Sequence, residues 1–335
     1  MLRLLNRCSA GFLLIALLIS GATAQELRTN ISVHDPVMIK QDSVYHLFAT
    51  GVGIASWSST DRVHWKQEKP LFDAPPQWAV DAVPGFKGHI WAPDISFYNG
   101  LYYLYYSVSA FGKNTSCIGV ATSPTLNTAS ANYHWTDHGK LIQSVPGKTN
   151  WNAIDPNLVV DKAGTPWLAF GSFWDGLKMV KLSPDRLAVA DSTAAVLTVA
   201  SRFAAPVKST NPIEAPFVIQ KGKYYYLFAS IDYCCKGPQS TYKIIVGRAA
   251  RVDGPYVDKE GKRLDQGGGT LLLQGNENWY GVGHNGIYSE NDTDFLVFHG
   301  YSAAEKGRSK LLIHQITWKK GWPEIEPGAA NLAAE

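Results

Sequence analysis

Three acids, Asp35, Asp155 and Glu214, open similar phrases: Asp35-Pro36-Val-Met-Ile, Asp155-Pro156-Asn-Leu-Val-Val and Glu214-Ala-Pro216-Phe-Val-Ile. Carboxyl groups far apart in the chain but alike in their surroundings are candidates for joint acid–base work, one giving a proton and another taking one. A single Asp before Pro is ordinary turn chemistry, because its side chain bonds local backbone amides. Three at equivalent places are different. Folding alone does not select gathered negative charge, since buried charge must be compensated.

The elements that must position these acids repeat. Pro36, Pro93, Pro156 and Pro216 lie 57, 63 and 60 residues apart. A fifth phrase, His284-Asn-Gly286-Ile-Tyr, carries glycine where proline is expected, 70 residues beyond Pro216. A turn and an aromatic strand follow each phrase: 44–49, 101–106, 166–170, 224–229 and 295–299. Third strands recur at 54–57, 118–122, 177–182, 244–248 and 311–316, with outer strands near Trp65, Trp135 and Trp318. The stretches 66–90, 139–154, 201–213 and 265–283 read as connections. Four strands repeated five times at this period predict an all-β fold, a five-bladed β-propeller with four antiparallel strands per blade. Its alternative is a β-sandwich.

In such a ring the starts of the first strands meet at one mouth of the central channel. The positions are Asp35, Trp91-Ala92, Asp155, Glu214 and His284, in that order. Asp155 and Glu214 are neighbours, and Asp35 lies across from both. A like charge beside Glu214 raises its pKa and suits it to general acid work. Asp35, set apart, remains ionised and activates a water. Two carboxyls about 6.5–9.5 Å apart invert a glycosidic centre, whereas about 5–5.5 Å retains it. The sequence favours inversion, with Asp35 as base, Glu214 as acid and Asp155 tuning Glu214. Glu214 stands one residue earlier relative to its proline than the two aspartates do. Trp91, and less directly Phe173 and Trp174, offer faces for a sugar ring, or else pack in the core. His284 is one imidazole at the mouth, which by itself is poor evidence for calcium, an ion that prefers oxygen. Asp94 is out of register and reads as a structural or supporting acid.

The N-terminus has a basic head, an apolar run at 11–20 and the small residues Ala22 and Ala24. This is the pattern of a secretory signal cut after residue 24, leaving 25–335 as a single catalytic domain. Losing Arg3 and Arg7 with it lowers the net charge from +3 to +1. That balance, with no basic stripe, argues against nucleic acid, and no other stretch approaches membrane length. Cys8 leaves with the signal, so Cys117, Cys234 and Cys235 remain, an odd number without zinc-ligand spacing. The adjacent pair reads as two buried thiols or as a vicinal disulfide.

The chain resembles the glycoside hydrolase family 43 arabinanases over nearly all of its mature length. The matching stretches are His34-Asp-Pro36, Trp91-Ala-Pro-Asp94, Trp151-Asn-Ala-Ile-Asp-Pro156, Gly171-Ser-Phe-Trp-Asp175, Pro212-Ile-Glu-Ala-Pro216, Asp232-Tyr-Cys-Cys235 with Ser240-Thr-Tyr242, and Gly283-His-Asn-Gly286. The Cys-Cys and Ser-Phe-Trp stretches are similar to the endo-acting members. The resemblance implies a five-bladed propeller enzyme that cuts α-1,5-linked arabinofuranose chains with inversion; with the leader pattern the expectation is a secreted protein, acting as a monomer on arabinan or arabino-oligosaccharides. It places base, modulator and acid at Asp35, Asp155 and Glu214, substrate contacts at Trp91, Asn152, Phe173 and Trp174, and a calcium or similar ion near His284. Exo-acting arabinofuranosidase or β-xylosidase action, or sugar binding without catalysis, are the alternatives.

Overall fold

The computed structural model describes residues 31–204 and 210–325. The expected signal segment, 1–24, lies outside the described residues. Five antiparallel sheets follow one another along the chain and form the ring of a five-bladed propeller. Blade 1 contains Val37–Gln41, Val44–Ala49, Ala55–Ser59 and Lys66–Gln67. Blade 2 contains His89–Tyr98, Leu101–Val108, Ser116–Ser123 and Thr136–Ser144, with the short Gly51–Val52 added at its inner edge. Blade 3 contains Asn157–Val160, Pro166–Phe170, Leu177–Lys181 and Leu197–Ala200. Blade 4 contains Ile213–Lys221, Tyr224–Ile231, Lys243–Ala249 and Thr270–Gln274. Blade 5 contains Trp279–Glu290, Thr293–Ser302, Arg308–Lys319 and Trp322–Glu324.

The aromatic second strands are apolar on both faces because each is covered by the blade before it and the blade after it. Leu47, Leu104, Leu168, Leu227 and Leu296 occupy one equivalent position in the five second strands, and each has 0% exposure. They fall in five separate hydrophobic clusters, one in each interface between neighbouring blades. A fully buried leucine contributes about 1.5–3 kcal/mol relative to exposure, so all five interfaces hold the ring. The last is closed by blades 1 and 5, where Tyr45 and Leu47 pack with Val297, Leu311 and Ile313. There the Leu311 amide donates to the Ile31 carbonyl (3.2 Å) and the Ser32 hydroxyl to the Ser309 carbonyl (2.9 Å).

Several outer strands differ from expectation. Trp318 belongs to the third strand of blade 5, and the short Trp322–Glu324 pairs beyond it. Thr270–Gln274, read as part of a connection, is the outer strand of blade 4. The connection after blade 1 contains a short helix, Gln77–Ala82. Outer strands are half exposed, so they lack the apolar runs that mark the inner ones.

Candidate active site

The residue entering each first strand has a left-handed backbone: Asp35 (φ 54°), Ala92 (45°), Asp155 (57°), Ala215 (54°) and His284 (51°). For an L-residue this costs about 1–2 kcal/mol, and four of the five also precede proline, which disfavours helical conformations. Bonds from the previous blade hold the strained amides. The Ala92 amide donates to Thr50 Oγ1 (2.8 Å), that of Asp155 to Ser107 Oγ (2.9 Å) and that of His284 to Ser230 Oγ (2.8 Å). The Asp35 amide donates to His299 Nδ1 (3.1 Å), which closes the circle. Blade 3 has Gly171 at the corresponding place. Its own backbone (φ 123°) and the Gly176 carbonyl, 2.9 Å from an added Cβ, leave no room for a side chain. The Ala215 amide therefore turns to the Asp155 carboxylate, donating to Oδ2 at 3.1 Å.

This register corrects the fifth phrase: Asn285, not Gly286, stands at the proline position. It also explains the offset of Glu214. Ala215 is the counterpart of Asp35 and Asp155, whereas Glu214 shares a position with His34, Trp91, Ile154 and Gly283.

Asp35 is held on three sides. Oδ1 accepts from His34 Nδ1 (2.9 Å) and His284 Nδ1 (3.0 Å), and Oδ2 accepts from the Thr50 hydroxyl (2.5 Å). Burial would raise its pKa, but the positive potential and hydrogen bonds of His284 and His34 hold it well below the ordinary carboxylate range. Burial would lower His284, yet the charge and hydrogen bond of Asp35, with the charges of Asp155 and Glu214, push it up to about 9. Glu214 accepts from the Ser172 hydroxyl at Oε2 and the Tyr242 hydroxyl at Oε1, both at 2.7 Å. The charges of Asp35, Asp155 and Glu214 all act on both His284 and Tyr242, so the three acids share one neighbourhood.

Asp155 is the third acid of the mouth. Its own carboxyl is pushed up to about 8, chiefly by burial, with the charges of Glu214 and Asp35 adding to the effect. Asp155 has one backbone donor on its carboxylate, while Glu214 has two hydroxyls.

Trp91 is half-buried on the ring level of Glu214, its indole N–H donating to His89 Nδ1 (3.0 Å). Phe173 and Trp174 follow Ser172 on a turn of left-handed residues, and the Phe173 amide donates to the Ile213 carbonyl, next to Glu214. Asn152 is not presented to a ligand. It is 3% exposed, with its amide oxygen 3.4 Å from the Ser144 hydroxyl. Cys234 and Cys235 form a disulfide rather than two buried thiols, and Cys117 is free and buried.

A small axial cavity, lined by Asp94, Asp155, His284 and Asn285 among others, has room for about one water-sized group. Both polar atoms of the Asn285 side chain are buried there without a partner among the described residues. His284 Nδ1 is committed to Asp35, which leaves Nε2 as the ligating nitrogen, the usual carboxylate–histidine–metal order. An oxygen-rich lining with an orphaned amide fits a hard cation. His34, Asp35 and His299 also lie close enough to hold a metal, but all four imidazole nitrogens of the two histidines already have hydrogen-bond partners.

Carboxyls at the mouth of a five-bladed ring, on a backbone that recurs blade by blade, accompany a sequence match over residues 29–323 to the glycosyl hydrolases family 43 model. The chain belongs to glycosyl hydrolases family 43. This family 43 chain is 47% identical to the extracellular exo-α-(1→5)-L-arabinofuranosidase ArbA of Cellvibrio japonicus, covering 95% of this chain and 91% of that one. It is 42% identical to the extracellular endo-α-(1→5)-L-arabinanase 1 of Bacillus subtilis, covering 88% of each. Among solved structures, the Cellvibrio cellulosa α-L-arabinanase complexed with arabinohexaose is 46% identical, with a TM-score of 0.86, over 89% of this chain and 96% of that one.

Proposed function

We propose that this glycoside hydrolase cleaves α-1,5-linked arabinofuranosyl chains with inversion, and that it does so outside the cytoplasm. The observation that carries the reading is the unequal setting of three acids in one mouth: two imidazoles hold Asp35 low, burial pushes Asp155 up, and two hydroxyls grip Glu214. Asp35 Oδ2 accepts one hydroxyl and has a second lone pair for a water. Asp35 takes that water's proton as it attacks the anomeric carbon. Glu214 delivers a proton to the leaving oxygen, and Asp155 modulates Glu214 through its charge and grips the backbone at Ala215. Trp91, Phe173 and Trp174 provide sugar-facing surface. An axial calcium or similar ion would be held by His284 and Asn285, and when bound it supplies positive charge on the channel axis. Elemental analysis is expected to find calcium in the wild type and none in His284→Ala.

The secreted location is supported by the leader pattern, by two relatives named extracellular, and by the lack of any described helix long and apolar enough to cross a membrane. Internal cleavage is the mode suggested by the Cys-Cys and Ser-Phe-Trp stretches. The 47% identity to an exo-acting relative favours a second reading, cutting from a chain end. Timed product analysis on debranched arabinan separates them: mixed oligomers and a rapid fall in viscosity for internal cutting, one short product for end-wise cutting. NMR of the first-formed anomer tests inversion. Glu214→Ala is expected to lower turnover of unactivated polymer by about 10²–10⁴-fold while substrate still binds. Undiminished turnover would remove Glu214 from the acid role.

A further inference from the structure

Beside Asp35 lies a phenol that no part of the reading above uses. Tyr301, on the second strand of blade 5, places its hydroxyl 2.7 Å from His34 Nε2, 2.8 Å from the Cys235 amide and 3.2 Å from His299 Nε2. The two imidazoles stack, with ring centroids 3.9 Å apart. The protons in this cluster follow from two backbone groups, because a backbone N–H only donates. The Cys235 amide gives its proton to the phenol oxygen and fills one lone pair. The Asp35 amide gives its proton to His299 Nδ1, so the neutral His299 ring carries its hydrogen on Nε2. That N–H donates to the phenol and fills its second lone pair. The phenol's single hydrogen then has two acceptors in reach, His34 Nε2 at 2.7 Å and the weakly accepting Cys235 Sγ at 4.0 Å, and the short contact to the imidazole takes it. His34 must carry its own hydrogen on Nδ1, where it donates to Asp35 Oδ1.

We propose that Tyr301 is a positioning residue for Asp35: one phenol links opposite tautomers of two stacked histidines, accepting from His299, whose lone pair takes the Asp35 amide, and donating to His34, which then presents its N–H to the Asp35 carboxylate. The role rests on the reading of Asp35 as the base. Without the hydroxyl, only the Asp35 carboxylate opposes the other tautomer of His34, whose bare Nδ1 would face it lone pair to lone pair, and the ring is free to tilt away. The loop that bears the Cys234–Cys235 disulfide belongs to the arrangement through its Cys235 amide.

Imidazole ¹⁵N NMR of the wild-type protein tests the tautomers without any substitution. It is expected to show hydrogen on Nδ1 of His34 and on Nε2 of His299; hydrogen on Nε2 of His34 would overturn the proposal. For the role, Tyr301→Phe is expected to lower kcat on debranched arabinan by about 10–100-fold, the usual loss when a group that orients a functional side chain is removed. KM should stay within about twofold, as when an interaction made only in the transition state is lost. His34→Asn keeps an N–H at the place of Nδ1 with no tautomer to choose. In that background Tyr301→Phe should cost little more, a non-additive cycle. Fully additive losses, or unchanged kcat in Tyr301→Phe, would overturn the role. Asp35→Ala is measured in parallel. If it retains turnover, the base assignment fails and the positioning role with it, while the ¹⁵N spectrum still reports the tautomers.

Discussion

Asp155 combines two tasks that substitution can separate. Its Oδ2 accepts the Ala215 amide, replacing the side chain that Gly171 cannot supply, and its charge state is linked to that of Glu214. Asp155→Asn retains a carbonyl oxygen for the amide but cannot hold or pass the acidic proton. Its stability is expected to stay within about 1 kcal/mol of wild type, while kcat on arabinan falls by at least about 10²-fold. Asp155→Ala also leaves the Ala215 amide buried and unpaired, a further loss of about 1–3 kcal/mol. Urea melts with kinetics on both variants check this. Equal stability of the two would show that the amide bond contributes nothing. The acids themselves were legible from their phrases, but their supports were not. Thr50, His299 and Tyr301 bear no motif, and Ser172 and Tyr242 fall in matching stretches without being marked as partners of Glu214. Aligning the ends of the second strands would have exposed part of the pattern: Thr50, Ser107, Gly171, Ser230 and His299 stand in one column, four of them polar.

At the level of strands, the blades are tied to one another by side chains just past the prolines. Asp94 accepts the Leu158 amide (2.7 Å) and an Asn157 N–H (3.3 Å) from blade 3, and Asn157 accepts the Val218 amide (2.8 Å) from blade 4. Burial pushes Asp94 up to about 7 from an ordinary 3.8, and the bonds from Leu158 and Asn157 only partly offset it. Between these two values the folded chain holds a proton that the unfolded chain has lost. Stability therefore declines as pH rises from about 4 to 7 and levels off above, by at most roughly 4 kcal/mol. Asp94→Asn removes this slope. Melting temperatures in chelator-containing buffer, where an axial ion does not screen Asp94, should show the wild type losing its advantage between pH 5 and pH 8. Parallel profiles would refute the linkage. Strand order was readable because second strands buried on both faces become continuous apolar runs. The proline-based alignment slipped by one residue in blade 5 because Asn285 replaces proline there, and the left-handed residue before it has no signature in sequence. The outer strands were misplaced at Trp318 and at Thr270–Gln274 because half-exposed strands need no apolar period.

For the whole molecule, Asp35, the proposed base, stands at the seam where the ring closes. His34, Asp35 and Thr50 come from the entry to blade 1 and its second strand, and His284, His299 and Tyr301 come from blade 5. The ends of the chain must therefore meet before Asp35 acquires its partners, whereas Asp155 and Glu214 lie on consecutive blades and need only local order. Loosening the seam should then affect activity more than loosening any other interface equally. Leu311 packs in the seam and Leu168 between blades 2 and 3, both buried. Either one replaced by alanine is expected to cost about 2–5 kcal/mol. Urea titrations followed by tryptophan fluorescence and by arabinan hydrolysis distinguish the two. In Leu168→Ala both curves should move together to lower urea. In Leu311→Ala hydrolysis should fail at a lower urea concentration than fluorescence, because the seam opens while four interfaces still hold. Coincident curves in Leu311→Ala would mean that the ring opens only as it unfolds, and that the base gains no special fragility from standing at its closure.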